Sequence, residues 1–260
     1  MLPNLQNLFD LTGKAALITG GGSGLGRAIA EGLAQFGAAV SLVDVSREAV
    51  DAAAEDIVRL GGRALALRCD VTRREQVEAA VVRTTAEFGK VDVLTAVAGI
   101  GDRNPAEDMT ETQWDRVLEV NLKGLWLVNQ AVGKHMIAKG GGGSIINMSS
   151  IAGQVGLRTG NANYAASKGG VIALTRTLAI EWARFNIRVN AIAPVQFKTP
   201  LVLRLIDQKP ETQDYFLSRI PLGRLGETWE IVGPAVFLAS DASTMITGIV
   251  LNVDGGHTAE

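Results

Sequence analysis

The sequence is poor in the residues that build covalent staples and metal centres: its 260 residues include one cysteine and two histidines. A lone Cys69 forms no internal disulfide, which fits a reducing compartment. Its place after the apolar run 64–67 suits a small core residue better than a nucleophile. Without CxxC or HxxxH spacing, no zinc or other metal site is expected. No uninterrupted apolar run reaches about 18 residues, so no membrane-spanning helix is expected. The first residues lack the basic and apolar regions of a secretion signal, which leaves the cytoplasm as the expected location. Charge is short on both sides, with a net −2 and a pI near 5.8. The basic footprint of a nucleic-acid or acidic-lipid binder is therefore missing.

Apolar residues make up 47% of the chain and charged residues 20%, enough for a sizeable core and too ordered a composition for disorder. The length suits one α/β domain. Short apolar strands are predicted at 15–19, 39–43, 63–68, 91–97, 144–148, 187–192 and 249–253. Between them come helical patterns: one after Gly24 with Leu25, Ile29, Leu33 and Phe36 inward, then 47–60, 73–88, 111–120, 122–138, one running on from Tyr164 to about 185, and 230–238. Glycines stop several of them. Strand and helix alternate with short connections, which predicts a Rossmann-like, doubly wound parallel sheet of about seven strands with helices on both faces. The four glycines at 140–143 read as a flexible turn. Residues 195–222 break the rhythm and read as an insertion that covers the substrate.

Chemistry concentrates between Gly143 and Lys168. A strand ends in Ser149 and Ser150, a polar loop follows, and Tyr164 and Lys168 stand four residues apart where a helix begins. That spacing places phenol and ammonium on one helix face. A neighbouring cation favours the ionised phenol and lowers its pKa, which makes Tyr164 a candidate general acid/base. Upstream, Gly20-Gly21-Gly22-Ser23-Gly24-Leu25-Gly26 turns from strand to helix, where backbone N–H groups can approach a pyrophosphate. Asp44 closes the next strand, where a carboxylate accepts both ribose hydroxyls of NAD and repels the 2′-phosphate of NADP. It could instead cap a helix, but Ser46 can do that. Asp70 suits a cap or an adenine contact equally. Ser149 and Ser150 could both be strand-end turn residues, and Asn121, at a helix join, a cap. His135 and His257 are expected to face solvent, and Trp114, Trp126 and Trp182 to lie in core or interface.

Several stretches together resemble the short-chain dehydrogenase/reductase family in its single-domain form. They are Thr19-Gly20-xxx-Gly24-x-Gly26, Asn121 in Asn-Leu-Lys-Gly, Ser150 in Ser-Ser-Ile-Ala-Gly, Tyr164-xxx-Lys168, and the later stretches 188–194, 221–226 and 248–256. The resemblance covers nearly the whole chain in order. It implies that Tyr164 is the proton donor or acceptor and that Lys168 lowers its pKa and binds the nicotinamide ribose. Ser150, with Ser149 as fallback, would orient the carbonyl, and Asn121 would hold a relay water. It further implies a cofactor site of Gly20, Ser23, Gly24, Leu25, Gly26, Asp44, Val45, Asp70, Val71, Val97, Ala98, Gly99, Tyr164, Lys168, Pro194, Phe197 and Thr199, within one nucleotide-binding domain spanning 1–260. Two positions depart from the family pattern: Ala96-Val97-Ala98-Gly99 stands for Asn-Asn-Ala-Gly, and Pro194-Val195 for Pro-Gly.

The implied function is NAD-dependent hydride transfer to or from a secondary alcohol or ketone, with homotetramers expected. Gln154, Arg158, Asn161, Gln196 and Lys198 lean toward a polyol, sugar or hydroxy acid, although ordinary loop residues would look the same. The alternatives are an NADPH-linked 3-oxoacyl-thioester reductase and a non-catalytic nucleotide-binding protein.

Overall fold

The computed structural model describes residues 5–158 and 160–259. Seven strands form one parallel sheet: β1 (Ala15–Thr19), β2 (Ala39–Asp44), β3 (Arg63–Arg68), β4 (Val93–Ala96), β5 (Gly143–Met148), β6 (Ile187–Pro194) and β7 (Val250–Val253). Their order is β3-β2-β1-β4-β5-β6-β7. The chain therefore winds outward from β1 in one direction, returns to β4 and winds outward in the other. Such a reversal opens a crevice at the carboxyl ends of the strands.

Residues alternate between the two faces of each strand, so each face gathers its own core. On one side Ile18, Val40, Leu42 and Ile146 pack against α1 (Gly24–Gln35) through Ile29 and Leu33, α2 (Arg47–Arg59) through Val50 and Ile57, and α9 (Val232–Ala239) through Leu238. On the other, Leu17, Leu94, Ile145 and Val189 meet α3 (Arg74–Phe88), α5 (Leu125–Lys139) and α6 (Ala162–Trp182) through Val77, Val132 and Leu178. Each fully buried aliphatic side chain contributes about 1.5–3 kcal/mol. Cys69, 2% exposed, belongs to this second core, as expected.

The elements follow the sequence prediction with instructive differences. Phe36, placed on the buried stripe of α1, is the residue that ends the helix and is 43% exposed. The 140–142 run is a defined turn: all three glycines have positive φ, and a Cβ at Gly142 would overlap the Asn186 carbonyl. The segment after β6 is not irregular. Thr199 accepts a hydrogen bond from the Val202 N–H and Pro200 occupies the first turn of α7 (Pro200–Gln208), followed by α8 (Glu211–Leu217). No residue of α7 is buried, so it lies on the surface beside the strand ends.

The two helices predicted at 111–120 and 122–138 are one continuous run. It begins with α4 (Glu111–Leu118), capped by Thr110 and Gln113, passes through a π-helical stretch at Glu119–Gly124, and continues into α5. Neither histidine projects freely into solvent. The His135 Nε2 accepts from the Val91 N–H (3.3 Å), and His257 is only 8% exposed with neither ring nitrogen partnered among the described residues. Both lie where α5 or the carboxyl-terminal turn folds back on the body, which a sequence pattern does not show. Trp182 packs over Gly133, between α6 and α5, and Trp114 is 38% exposed.

Candidate active site

The glycine turn after β1 is folded too tightly for side chains. A Cβ at Gly26 would overlap the Gly20 carbonyl, and one at Gly20 would sit 2.9 Å from the Ala98 nitrogen. Ser23 precedes α1 in extended conformation without a side-chain cap bond, so first-turn N–H groups stay available to an anion. Asp44 Oδ2 accepts from Gly22 N–H (3.3 Å) and Oδ1 from Ser46 N–H (3.1 Å). Ser46 itself caps α2 by accepting from Ala49 N–H. The Asp44 carboxylate is thus held against the glycine turn and is not used as a helix cap. Asp70 resolves as a tight turn, its Oδ1 accepting from the Thr72 N–H (2.9 Å) and Oγ1 (2.7 Å), while the cap position of α3 falls to Arg73.

Across the crevice, Thr19 Oγ1 accepts from Val97 N–H (3.1 Å) and Ala98 N–H (3.3 Å). These bonds pin the loop after β4 by its backbone, so these backbone contacts survive the Ala96-Val97 departure. All seventeen residues expected to touch the cofactor line one cleft of about 510 Å³, beside Val195 and Ile100. A Cβ-free turn, open helix N–H groups and a carboxylate at the second strand suit a dinucleotide.

Ser149, Ser150, Tyr164 and Lys168 meet at the end of β5. Ser149 is 1% exposed and donates to the Lys168 carbonyl (2.9 Å), so its hydroxyl is structural. Ser150 Oγ accepts from Ala152 N–H (3.2 Å) and opens onto the cleft. Lys168 is 3% exposed, and its ammonium donates to the Met148 carbonyl (2.7 Å) while lying 5.6 Å from the centre of the Tyr164 ring. Burial brings its pKa down to about 8. Burial also pushes the Tyr164 phenol above its ordinary value, and Ser150 and the Arg103 guanidinium pull it part of the way back. The expectation that Lys168 lowers the phenol's pKa meets a net shift in the other direction: burial is the largest influence on the phenol, while the ammonium donates to the Met148 carbonyl and lies over the Tyr164 ring.

Asn121 is not a cap. It sits in the π-helical stretch, fully buried, its Oδ1 accepting from Ile100 N–H (2.8 Å) while Nδ2 donates to Ile100 O (2.9 Å) and Ser167 Oγ (3.3 Å). Such stretches are frequent at functional sites. Asn121 lies behind the cleft wall, with Gly99 between it and Lys168.

A second cavity of about 340 Å³ adjoins the cleft and shares Ser150, Tyr164, Val195, Leu201, Val202 and Arg204 with it. Of the polar residues proposed for the substrate, Asn161 and Gln196 reach it. Gln154 bonds to Asn252 (2.7 Å), Lys198 pairs with Glu227, and Arg158 is exposed elsewhere. Thr159, in the same loop, lies outside the described residues. Three residues went unread: Arg103 and Arg204 in this cavity, and Asn163. The last is fully buried, donates to Asp102 O (3.0 Å) and Gln113 O (3.1 Å), and accepts from Tyr164 N–H (2.7 Å). The available sequence signal was only an asparagine directly preceding the candidate tyrosine.

A family model described as enoyl-(acyl carrier protein) reductase matches residues 20–258. The 3-oxoacyl-[acyl-carrier-protein] reductase of Thermotoga maritima is 44% identical over 95% of this chain and 98% of its own. The NAD-dependent glycerol dehydrogenase of Listeria innocua is 40% identical over 96% of each chain. Among solved structures, a gluconate 5-dehydrogenase from Burkholderia cenocepacia, in complex with NADP and tartrate, superposes with a TM-score of 0.92 at 38% identity over 98% of each chain.

Proposed function

Since the chain belongs to the short-chain dehydrogenase/reductase family, we propose that it interconverts a secondary alcohol and a ketone with NAD as the favoured cofactor. The substrate class is a polyol, sugar or hydroxy acid, and Tyr164 is the general acid/base. The observation that carries the reading is the meeting of the cleft and the smaller cavity at Ser150 and Tyr164. A proton-transfer group there borders both compartments at once.

The nicotinamide cofactor, when bound, supplies or takes up the hydride. The protein's part is positioning and proton transfer. The glycine turn and the first turn of α1 would hold the pyrophosphate, and Asp44 would accept from the adenosine ribose. Lys168 would donate to the other ribose, and Val195, in place of glycine, lines the cleft beside Pro194. Ser150 donates to the carbonyl oxygen and fixes it against the phenol. Tyr164 gives its proton to that oxygen in reduction, or removes the hydroxyl proton in oxidation. A phenol held above its ordinary pKa stands protonated at neutral pH, so reduction proceeds from the resting form. Oxidation needs the ionised form and speeds up as pH rises. Asn121 holds the backbone of Ile100 and, through Ser167, the face of α6, from where a relay water would be anchored.

Asp44 supports NAD because a 2′-phosphate would meet an anion. The glycerol dehydrogenase relative uses NAD, whereas the gluconate dehydrogenase neighbour holds NADP. The Thermotoga relative motivates a second reading, NADPH-linked reduction of a 3-oxoacyl thioester. Steady-state rates with NADH and NADPH on a polyol, a hydroxy acid and an acyl thioester separate the two. Tyr164→Phe tests the mechanism: turnover is lost while NADH binding, read by fluorescence, persists. Full turnover in that variant refutes the assignment. We also place α7 and α8 over the substrate and assembly as a homotetramer, supported by an open groove of Leu118, Leu122, Trp126 and Leu174 on the α4–α6 face. Sedimentation as a monomer would overturn the latter.

A further inference from the structure

We propose that the substrate is anionic and that Arg103 binds its charged end. The proposal rests on the oxidoreductase reading above and names the chemistry of that same site. The smaller cavity is lined by two arginines, Arg103 from the loop after β4 and Arg204 from α7, and among the described residues by no carboxylate. Besides Ser150 and Tyr164, its remaining polar lining is amide, Asn161, Gln196 and Gln208, which accepts from and donates to hydroxyls. A cavity of about 340 Å³ corresponds to roughly eleven water volumes. That accommodates a compound of about a dozen non-hydrogen atoms.

Arg103 has neither ion pair nor hydrogen bond among the described residues, yet both its chain neighbours are fixed. Asp102 gives its carbonyl to Asn163 and a carboxylate oxygen to Gln113 Nε2 (3.0 Å), with Arg116 at 3.7 Å. Asn104 donates its N–H to Gly160 O (3.0 Å) and its amide to Asp108 O (2.7 Å). The nearest carboxylate in sequence is thus turned away and engaged, and cannot neutralise the guanidinium. Asn163 ties this loop directly to the Tyr164 amide (2.7 Å). One side of Arg103 stays open to solvent, while the protein around the other strips enough water to disfavour its charge. A loop pinned on both sides of an unpaired cation, facing the reacting tyrosine, is a preformed anion seat. Arginine suits carboxylate and phosphate alike by its planar fork.

The test uses the full chain with bound NADH and NAD. A six-carbon aldonate, the uncharged alditol of the same length and the alditol monophosphate are titrated calorimetrically and assayed by NADH absorbance, in the wild type, Arg103→Gln and Arg204→Gln. The expected result is a preference for an anion over the alditol that falls about 10- to 100-fold in Arg103→Gln, as for loss of a charge-assisted bond, mainly through KM. Preference for the aldonate or for the phosphate identifies the anion. An unchanged preference in Arg103→Gln overturns the proposal, as does a loss confined to Arg204→Gln or a wild type that favours the alditol. Arg103-dependent anion binding without turnover of any compound supports the anion seat and overturns the polyol, sugar or hydroxy-acid substrate class proposed above.

Discussion

Lys168 allows a quantitative test that needs neither substrate nor cofactor. Its ammonium is 3% exposed, bonded to one backbone carbonyl, and its pKa falls from 10.5 to about 8. At about 1.4 kcal/mol per pH unit, that shift is worth about 3 kcal/mol. Below pH 8 both folded and unfolded chains carry the proton, and the cost of burying the charge is fully present. Between 8 and 10.5 the unfolded chain keeps the proton while the folded one has released it, so folding stability rises with pH; above 10.5 the cost is gone. Lys168→Met removes the titration and keeps the length of the side chain. At pH 7 the variant escapes the burial cost but forfeits a charged hydrogen bond of about 1.5–3 kcal/mol, so a comparison there says little. The slope decides. Guanidinium unfolding of ligand-free wild type and variant at pH 7, 8, 9 and 10 should show wild type gaining about 2–3 kcal/mol relative to Lys168→Met. Titrations common to both chains cancel in that difference. A difference constant to within about 0.5 kcal/mol across the range would mean that the lysine is not desolvated, and the account of the site would fail with it.

Other expectations follow from single contacts. Asp44→Ala should raise the NADPH/NADH ratio of kcat/KM by about tenfold or more, because it removes the anion proposed to face the 2′-position; an unchanged ratio would place specificity elsewhere. Asn163→Ala breaks three bonds to Asp102, Gln113 and Tyr164 and should lower stability by about 2–3 kcal/mol, read by chemical denaturation. The pH profile of alcohol oxidation should climb through the alkaline range while ketone reduction declines there, following the raised phenol pKa; parallel profiles would argue against Tyr164 as the shared proton group. Cys69, buried with its thiol pushed up to about 11, should resist thiol reagents until the chain unfolds. Fast labelling of the native protein would contradict its burial.

The parts of the site written in contiguous sequence were legible before the structure. The glycine turn, the acid at the end of β2 and the Tyr-x-x-x-Lys pair each depend on neighbours a few residues away, where geometry follows from helix and strand periods. Arg103 was not legible because its meaning depends on Asn163, 61 residues from Asp102 along the chain. Lys168 was half legible: the spacing gave its face but not the Met148 carbonyl that orients it. The π-helical stretch at Asn121 read as two helices because an added residue in a turn shifts the apolar stripe, as a break would. The helices after β6 were hidden because they are short and their inward side chains, Val202, Leu205 and Ile206 of α7 against Phe216 of α8, pack on each other and on Ile220 and Leu225, while Leu201 and Leu203 stand exposed and blur the stripe. Gln154 and Lys198 looked like substrate groups by position, but found partners in Asn252 and Glu227.

Lys168 and the end of β5 are clasped twice, in opposite senses: the lysine side chain holds the Met148 backbone, and the Ser149 side chain holds the lysine backbone. Tyr164, the proposed proton-transfer group one turn earlier on the same helix, is therefore expected to belong to the slowest-opening part of the molecule. Amide deuteration at 146–149 and 164–172 should wait for global unfolding, whereas α7, with nothing buried, should exchange by local opening. On the proposed function, the chemistry would then rest on a floor as durable as the sheet itself, beside a helix that opens many times in the lifetime of one folded molecule.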